Sequence, residues 1–297
     1  MTALRAPPDD RSVEELLSFG VVNLDKPAGP SAHQVSAWVR DAAGVDRAAH
    51  AGTLDPKVTG CLPVLLGDAT RLAQAFLEGA KEYVAVLELH GPAPADLEAV
   101  VAEFEGEIYQ KPPRKSAVAR RLRTREIHGL DVLEVDGRQA LLRIRCESGT
   151  YVRKLCHDLG LAAGTGAHMG DLRRTATDPF DDRDLVSTAD LTDALAFAAQ
   201  GDEEPLREVV APAERALSHL PGLTVAFSAA EQIAEGAPVY APGILDADPG
   251  LEEESHGDDA PLVVCFTPDD AAVCLGRLVG DPDAEHGEVV ALERVLV

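Results

Sequence analysis

The chain has 297 residues, 51 acidic side chains against 27 basic ones, a formal charge of −24 and a pI near 4.6. The length suits one large domain plus a small one, and 45% apolar content excludes wholesale disorder. No apolar run nears the ~18 residues of a membrane span, no secretory leader opens the chain, and five cysteines without a CxxC pair argue for reduced thiols in a cytoplasmic protein.

The elements are expected in the following order. Residues 1–18 form an N-terminal extension. FGVVNLDKP reads as a short buried strand running into a turn with Pro27, Gly29 and Pro30 as breakers. Ser31 caps a helix over AHQVSAWVRDAAG, with Val35, Trp38 and Val39 on one face and Gly44 as its stop. HAGTLDPKVTGCLPV is too irregular for a helix and too apolar for a plain linker. A helix is expected from about Asp68 to Leu77, then a strand over KEYVAVLELHG and a helix over ADLEAVVAEF.

The stretch 111–125, KPPRKSAVARRLRTR, reads as a long loop. It holds Lys111, Arg114, Lys115, Arg120, Arg121, Arg123 and Arg125 and no acid. In so acidic a chain, such an island points to an anionic partner. Total charge alone argues against nucleic acid, because phosphate partners need Lys and Arg. Only six of the basic residues are lysines, however, and an Asp/Glu-rich, lysine-poor surface suits a cytosol of very high salt. The acidity therefore describes the solvent first and the partner second.

LDVLEVDGRQALLRIRCESG reads as a hairpin turning at Asp136-Gly137. YVRKLCHDLGLAAG is a helix ending at Gly164, with Ser148 or Thr150 as its cap, and AHMGDLRRTATDPF alternates like a strand. A boundary is expected at Leu220-Pro221-Gly222. Beyond it, APVYAPG, LVVCFT, AVCLGRLVG and EVVALERVLV read as strands and SAAEQIAEG as a helix, a small β-barrel-like module. Its DADPGLEEESHGDDA segment reads as a solvated loop.

Motifs for nucleotide binding, zinc hydrolysis and serine hydrolysis are absent, and the nine histidines lack metal-ligand spacing. What remains is chemistry available to carboxylate, phenol and guanidinium groups. Asp55 lies in AGTLDPKVTG, where two glycines and Pro56 make a rigid loop able to aim an acid; Asp-Pro is equally an ordinary turn starter. Tyr151 and Arg153 open a helix, where the arginine could orient a carboxylate, although each also reads as a packing or surface residue. Tyr83 lies inside a strand and His50 just before the Asp55 loop, positions that suit a structural role as well as a functional one.

Five ordered segments (FGVVNLDKPAGPSAHQV, HAGTLDPKVTGCLPV, KEYVAVLELHG, CESGTYVRKLCHDLG and MGDLRRTATDPF) closely resemble the TruB superfamily of pseudouridine synthases. GTLDPKVTG with QKPPRKSAVARRLRTREIHGLDV resembles the dyskerin type, the catalytic subunit of archaeal and eukaryotic H/ACA ribonucleoproteins, and EQIAEGAPVYAPGI is similar to the PUA domain of archaeal members. The resemblance implies an α+β fold: a catalytic domain over 19–220 with a mixed, largely antiparallel sheet, a thumb loop at about 111–126, and a PUA β-barrel-like domain over 221–297. It implies Asp55 as catalytic aspartate, Arg153 as its partner in the Tyr151-x-Arg153 motif and Tyr83 as the base-stacking ring. It implies Leu172 as an apolar active-site residue, His50 as an RNA contact near the flipped nucleotide, and Lys26 with Pro27 as support for the active-site loop. Thumb residues Lys111, Arg114, Lys115, Arg120, Arg121 and Arg123 would hold RNA.

The implied activity converts uridine to pseudouridine in the tRNA T-loop, or in rRNA with a guide RNA and small H/ACA companion proteins, without metal or cofactor. The contrasting expectations are a catalytically silent RNA-binding scaffold and a glycosylase that releases uracil. The charge pattern and this resemblance together point to a halophilic archaeon.

Overall fold

The computed structural model describes residues 4–112, 121–249, 251 and 260–297. The strands are β1 (Gly20–Lys26), β2 (Ala48–His50), β3 (Thr59–Leu66), β4 (Lys81–Leu89), β5 (Gly106–Gln110), β6 (Arg123–Asp136), β7 (Gln139–Cys146), β8 (Ala167–Thr177), β9 (Phe180–Asp181), β10 (Ala211–Pro212), β11 (Gly222–Val225), β12 (Val239–Tyr240), β13 (Ile244–Ala247), β14 (Leu262–Phe266), β15 (Ala272–Leu278) and β16 (Glu288–Val295). The helices are α1 (Val13–Ser18), α2 (Ala32–Ala43), α3 (Ala75–Glu78), α4 (Leu97–Ala102), α5 (Val152–Ala162), α6 (Thr188–Ala198), α7 (Glu204–Val209) and α8 (Phe227–Ala234).

The first sheet has the order β10-β1-β3-β8-β4-β7-β6-β5, with β2 joined to β3 and β9 to β8. Only β3 and β8 pair in parallel, so the sheet is mixed and largely antiparallel, as expected. The second sheet, β12-β16-β15-β14-β11-β13, forms the barrel-like C-terminal module. The strands β11 and β13 escaped sequence reading because each is only four residues long.

One face of the first sheet is covered by α2, α5 and α6 around Val22, Leu24, Val64, Leu87 and Leu142. The other face, through Val21 and Leu65 with the adjoining Phe19, packs on Val264 and Leu275 of the second sheet and on Leu296 just past its last strand. Two N-terminal arginines strengthen that junction. Arg11 makes a bidentate pair with Glu214 at 2.6 and 2.7 Å, while Arg5 lies 4.1 Å from the Phe19 ring and donates to the Leu296 carbonyl at 2.8 Å.

Helix α2 starts with a Ser31–Gln34 capping box, worth about 1 kcal/mol, and stops at left-handed Gly44. Val35 and Val39 are buried as expected, but Trp38 is 51% exposed. The buried stripe is Ala32, Val35, Ser36 and Val39, and at about 100° per residue Trp38 falls more than a quarter turn to one side.

Two further expectations change. Residues 67–72 form a 3₁₀ helix and α3 is a separate short turn, where a single helix over 68–77 was expected. The irregular segment after Asp55 becomes β3, central in the sheet despite Pro63, because β1 and β2 pair with it from opposite sides. The hairpin at Asp136-Gly137 and the helix stop at Gly164 stand where expected, with φ of 58° and 71° at the glycines. Among the described residues, no helix is long and apolar enough to cross a membrane.

Candidate active site

The loop between β2 and β3 presents Asp55, and its fixing begins with hydrophobic anchors. Leu54 and Val58 are each 4% exposed, while Asp55, Pro56 and Lys57 between them face solvent. The Val58 amide donates to the Asp55 carbonyl at 3.0 Å and closes a tight turn around Pro56. The Gly29 amide donates to the Pro56 carbonyl at 2.9 Å, tying this turn to the breaker-rich turn after β1.

Two buried cations hold the two halves of the loop. Lys26 is fully buried, and its ammonium donates to the carbonyls of Pro27, Pro56 and Val58 at 2.9, 3.0 and 2.8 Å. All three N–H bonds are used, which is how a lysine survives inside a core without a carboxylate; burial still pushes its pKa down. Arg174, on β8, holds the other half. Its Nε donates to the Cys61 carbonyl at 2.7 Å and its Nη2 reaches the Ala51 and Gly52 carbonyls at 3.4 Å each. Gly60, at φ +97°, lets β3 approach β8 so closely that a Cβ there would stand 2.2 Å from the Arg174 carbonyl. Sequence reasoning anticipated Lys26 but missed Arg174, because an arginine in an alternating strand reads as a surface residue.

Asp55 and Arg153, both 53% exposed on their side chains, form an ion pair across 98 residues of chain. Arg153 is the second residue of α5, so the guanidinium reaches Asp55 from the helix N-terminus. The expected cap is not there. Tyr151 is the N-cap and no side chain caps it, since the Thr150 hydroxyl donates to the Glu147 carbonyl at 2.7 Å instead. Gln110, which no sequence signal marked, holds the N-cap residue itself: its Oε1 accepts from the Tyr151 amide at 2.8 Å. Tyr151 itself is half-buried.

Tyr83 is only 9% exposed on β4, in register with Arg174 of β8. Burial pushes its phenol pKa up, against the opposing pull of the Arg174 guanidinium, so the hydroxyl is protonated at neutral pH. Leu172 is half-buried on β8 and lies in register with Ala85. His50, at the end of β2, is half-buried with its Nδ1 covered and unpartnered. Burial, with Arg174 and His33 adding to it, pushes the imidazole pKa down.

The structure thus brings Asp55 and Arg153 into contact and holds the Asp55 loop by Lys26 and Arg174, with Tyr83 in register with Arg174. Lys111, at the start of the basic stretch, and Arg121, within it, are exposed. Arg123, expected in the loop, begins β6 and pairs in register with Gln110. Arg114, Lys115 and Arg120, like most of the acidic segment at 246–260, lie outside the described residues. Among the described residues no three His, Cys, Asp or Glu side chains converge as a metal site would require.

Family models match nearly all of the first-sheet region. The TruB family pseudouridylate synthase N-terminal domain matches residues 40–96 and 91–152, the tRNA pseudouridylate synthase B C-terminal domain 153–218, and the DKCLD domain 5–36. A probable tRNA pseudouridine synthase B of Haloarcula marismortui is 68% identical, covering 99% of this chain and 94% of the relative. The chain belongs to the TruB family of pseudouridine synthases. Its relative in Halobacterium salinarum, with the same name, is 66% identical over 99% of both chains, which agrees with the salt-adapted composition. A crystal structure of a Cbf5–Nop10–Gar1 complex superposes with a TM-score of 0.92 at 43% identity, covering 99% of this chain and 90% of the other. An H/ACA ribonucleoprotein bound to a substrate RNA containing 2'-deoxyuridine superposes at 0.88 with 41% identity, covering 99% and 90%. The family's reaction is an isomerisation of uridine within RNA, so this chain is an enzyme of that class.

Proposed function

We propose that the chain isomerises uridine with Asp55 as the catalytic carboxylate, Arg153 as the cation that orients it, and Tyr83 and Leu172 as the walls against which the base rests. The observation that carries this reading is the Asp55–Arg153 pair on a loop held by Lys26 and Arg174. Isomerisation breaks the N1–C1′ bond, turns the uracil and joins C5 to C1′, while the C5 proton leaves and N1 gains one. Atoms and electrons balance without an oxidant or an added group, so the chemistry calls for no cofactor. Asp55 serves it either as nucleophile at C1′ or as base at the 2′ position.

A target uridine inside folded RNA has to leave its stack, at a cost of a few kcal/mol, and be caught by an apolar or aromatic surface. His50 would stand beside the emptied position. The basic stretch with Lys111, Arg114, Lys115, Arg120, Arg121 and Arg123 would bind phosphates, giving affinity rather than sequence readout. Residues 221–297 would form a second RNA-binding unit. Similarity to proteins solved with Nop10, Gar1 and substrate RNA supports a place in an H/ACA-type particle, and the relatives' names support tRNA as a substrate. On this reading the enzyme works in the cytoplasm and its tRNA target is the T-loop uridine.

Two arms test the reading: the purified chain with a tRNA transcript alone, and the chain with a guide RNA, its target RNA and the small companion proteins. Nucleoside chromatography is expected to show pseudouridine in at least one arm. Free uracil would make the protein a glycosylase, and no product in either arm would make it a scaffold.

A further inference from the structure

The helix that delivers Arg153 begins without a cap of its own, and the bonds that fix its start come from a different hairpin. Gln110 ends β5, is 2% exposed, and holds the backbone of one residue from both sides: Oε1 accepts from the Tyr151 amide at 2.8 Å and Nε2 donates to the Tyr151 carbonyl at 3.2 Å. That carbonyl is also the first acceptor of α5, receiving the Lys154 and Leu155 amides at 2.9 and 3.0 Å. The turn just before it is anchored to β6 by Glu147. Its carboxylate accepts from Arg125 and from the Glu126 amide, both at 3.1 Å, and its amide donates to the Glu126 carbonyl at 2.9 Å. The segment 147–151 is therefore suspended between the end of β5 and the start of β6, and two residues further on Arg153 meets Asp55.

We propose that Gln110 is a positioning residue for the Asp55–Arg153 pair. It sets where α5 begins relative to the Asp55 loop and touches neither substrate nor carboxylate. The primary amide suits the task because one side chain supplies an acceptor to the Tyr151 N–H and a donor to the Tyr151 carbonyl. Leucine, apolar and without either group, would leave the Tyr151 amide without this partner, and the helix start would shift to find water or another acceptor. A displacement of about 1 Å at the reacting groups can cost on the order of 10²-fold in rate. Glutamate keeps the acceptor for the Tyr151 amide but sets a carboxylate against its carbonyl, so it should fall between leucine and glutamine.

The proposal rests on the catalytic reading of Asp55 and Arg153, and a double-mutant cycle separates the two. Single-turnover pseudouridine formation at saturating RNA, and RNA Kd, are measured for wild type, Gln110→Leu, Gln110→Glu, Arg153→Ala and Gln110→Leu with Arg153→Ala, on the RNA that wild type converts. Gln110→Leu should slow turnover about 10- to 100-fold, with Gln110→Glu intermediate and Kd changed less than about threefold. On the Arg153→Ala background, Gln110→Leu should add less than about twofold. An equal loss in both backgrounds, an unchanged rate in both Gln110 variants, or a loss confined to Kd would overturn the positioning role. An Arg153→Ala protein as fast as wild type would overturn the catalytic reading itself, and the proposal with it.

Discussion

Lys26→Met is the sharpest perturbation of the loop that presents Asp55. Methionine nearly matches lysine in length, so the change removes charge and donors while leaving little cavity. Three carbonyls lose bonds of 2.8 to 3.0 Å; that of Pro56 keeps the Gly29 amide, whereas those of Pro27 and Val58 lose a buried charged donor. Hydrogen bonds to a charged group contribute about 1.5–3 kcal/mol each, and removing a desolvated ammonium returns several kcal/mol. The net loss should be about 2–4 kcal/mol, a fall in Tm of roughly 3–6 °C for a chain of this size. Asp55 lies one residue from Pro56, so turnover should fall at least about tenfold. Calorimetry and single-turnover assays in the same high-salt buffer measure both. An unchanged Tm would mean that the ammonium is not what holds the loop, and a lower Tm with unchanged turnover would mean that the turn keeps its shape without it.

Burial depresses the His50 pKa below its ordinary 6.5. The unfolded chain therefore takes up this proton first, and the residue's stability contribution is complete above about pH 6.5 and lost as the pH falls below it. Urea unfolding between pH 5 and 8 should show a shallower pH slope for His50→Gln than for wild type, and equal slopes would refute the buried neutral imidazole. Arg120, Arg121 and Arg123 changed together to Ser should raise RNA Kd at least about tenfold and reduce the salt slope by about 2–3. The same change at Arg40, Arg47 and Arg183 should do neither, and equal losses would remove the basic stretch as the contact surface.

The sequence was most legible where a residue type does what it usually does. Val35 and Val39 are buried, Ser31 caps α2, Gly44 and Gly164 stop helices, and the alternating segments are strands. It was least legible where polar side chains act inside the protein. Arg174 and Gln110 are nearly inaccessible, and each is satisfied by backbone groups distant in sequence, a pairing that no local pattern encodes. Trp38 fails the opposite way, as a large apolar side chain just off the buried stripe. The residues of the candidate site came from the family resemblance; on their own, Asp55-Pro56 is a turn and Tyr83 a core ring. The −24 charge misled only as a total, because seven basic side chains lie together without an acid at 111–125.

The central claim is that Asp55, held by this loop and met by Arg153, performs the isomerisation. Asp55→Asn preserves size and loop geometry while removing the charge. Single-turnover assays on the wild-type RNA substrate, with Kd measured alongside, should show RNA binding within about threefold of wild type and pseudouridine formation reduced by at least about 10⁴-fold. Turnover within about tenfold of wild type would contradict the account.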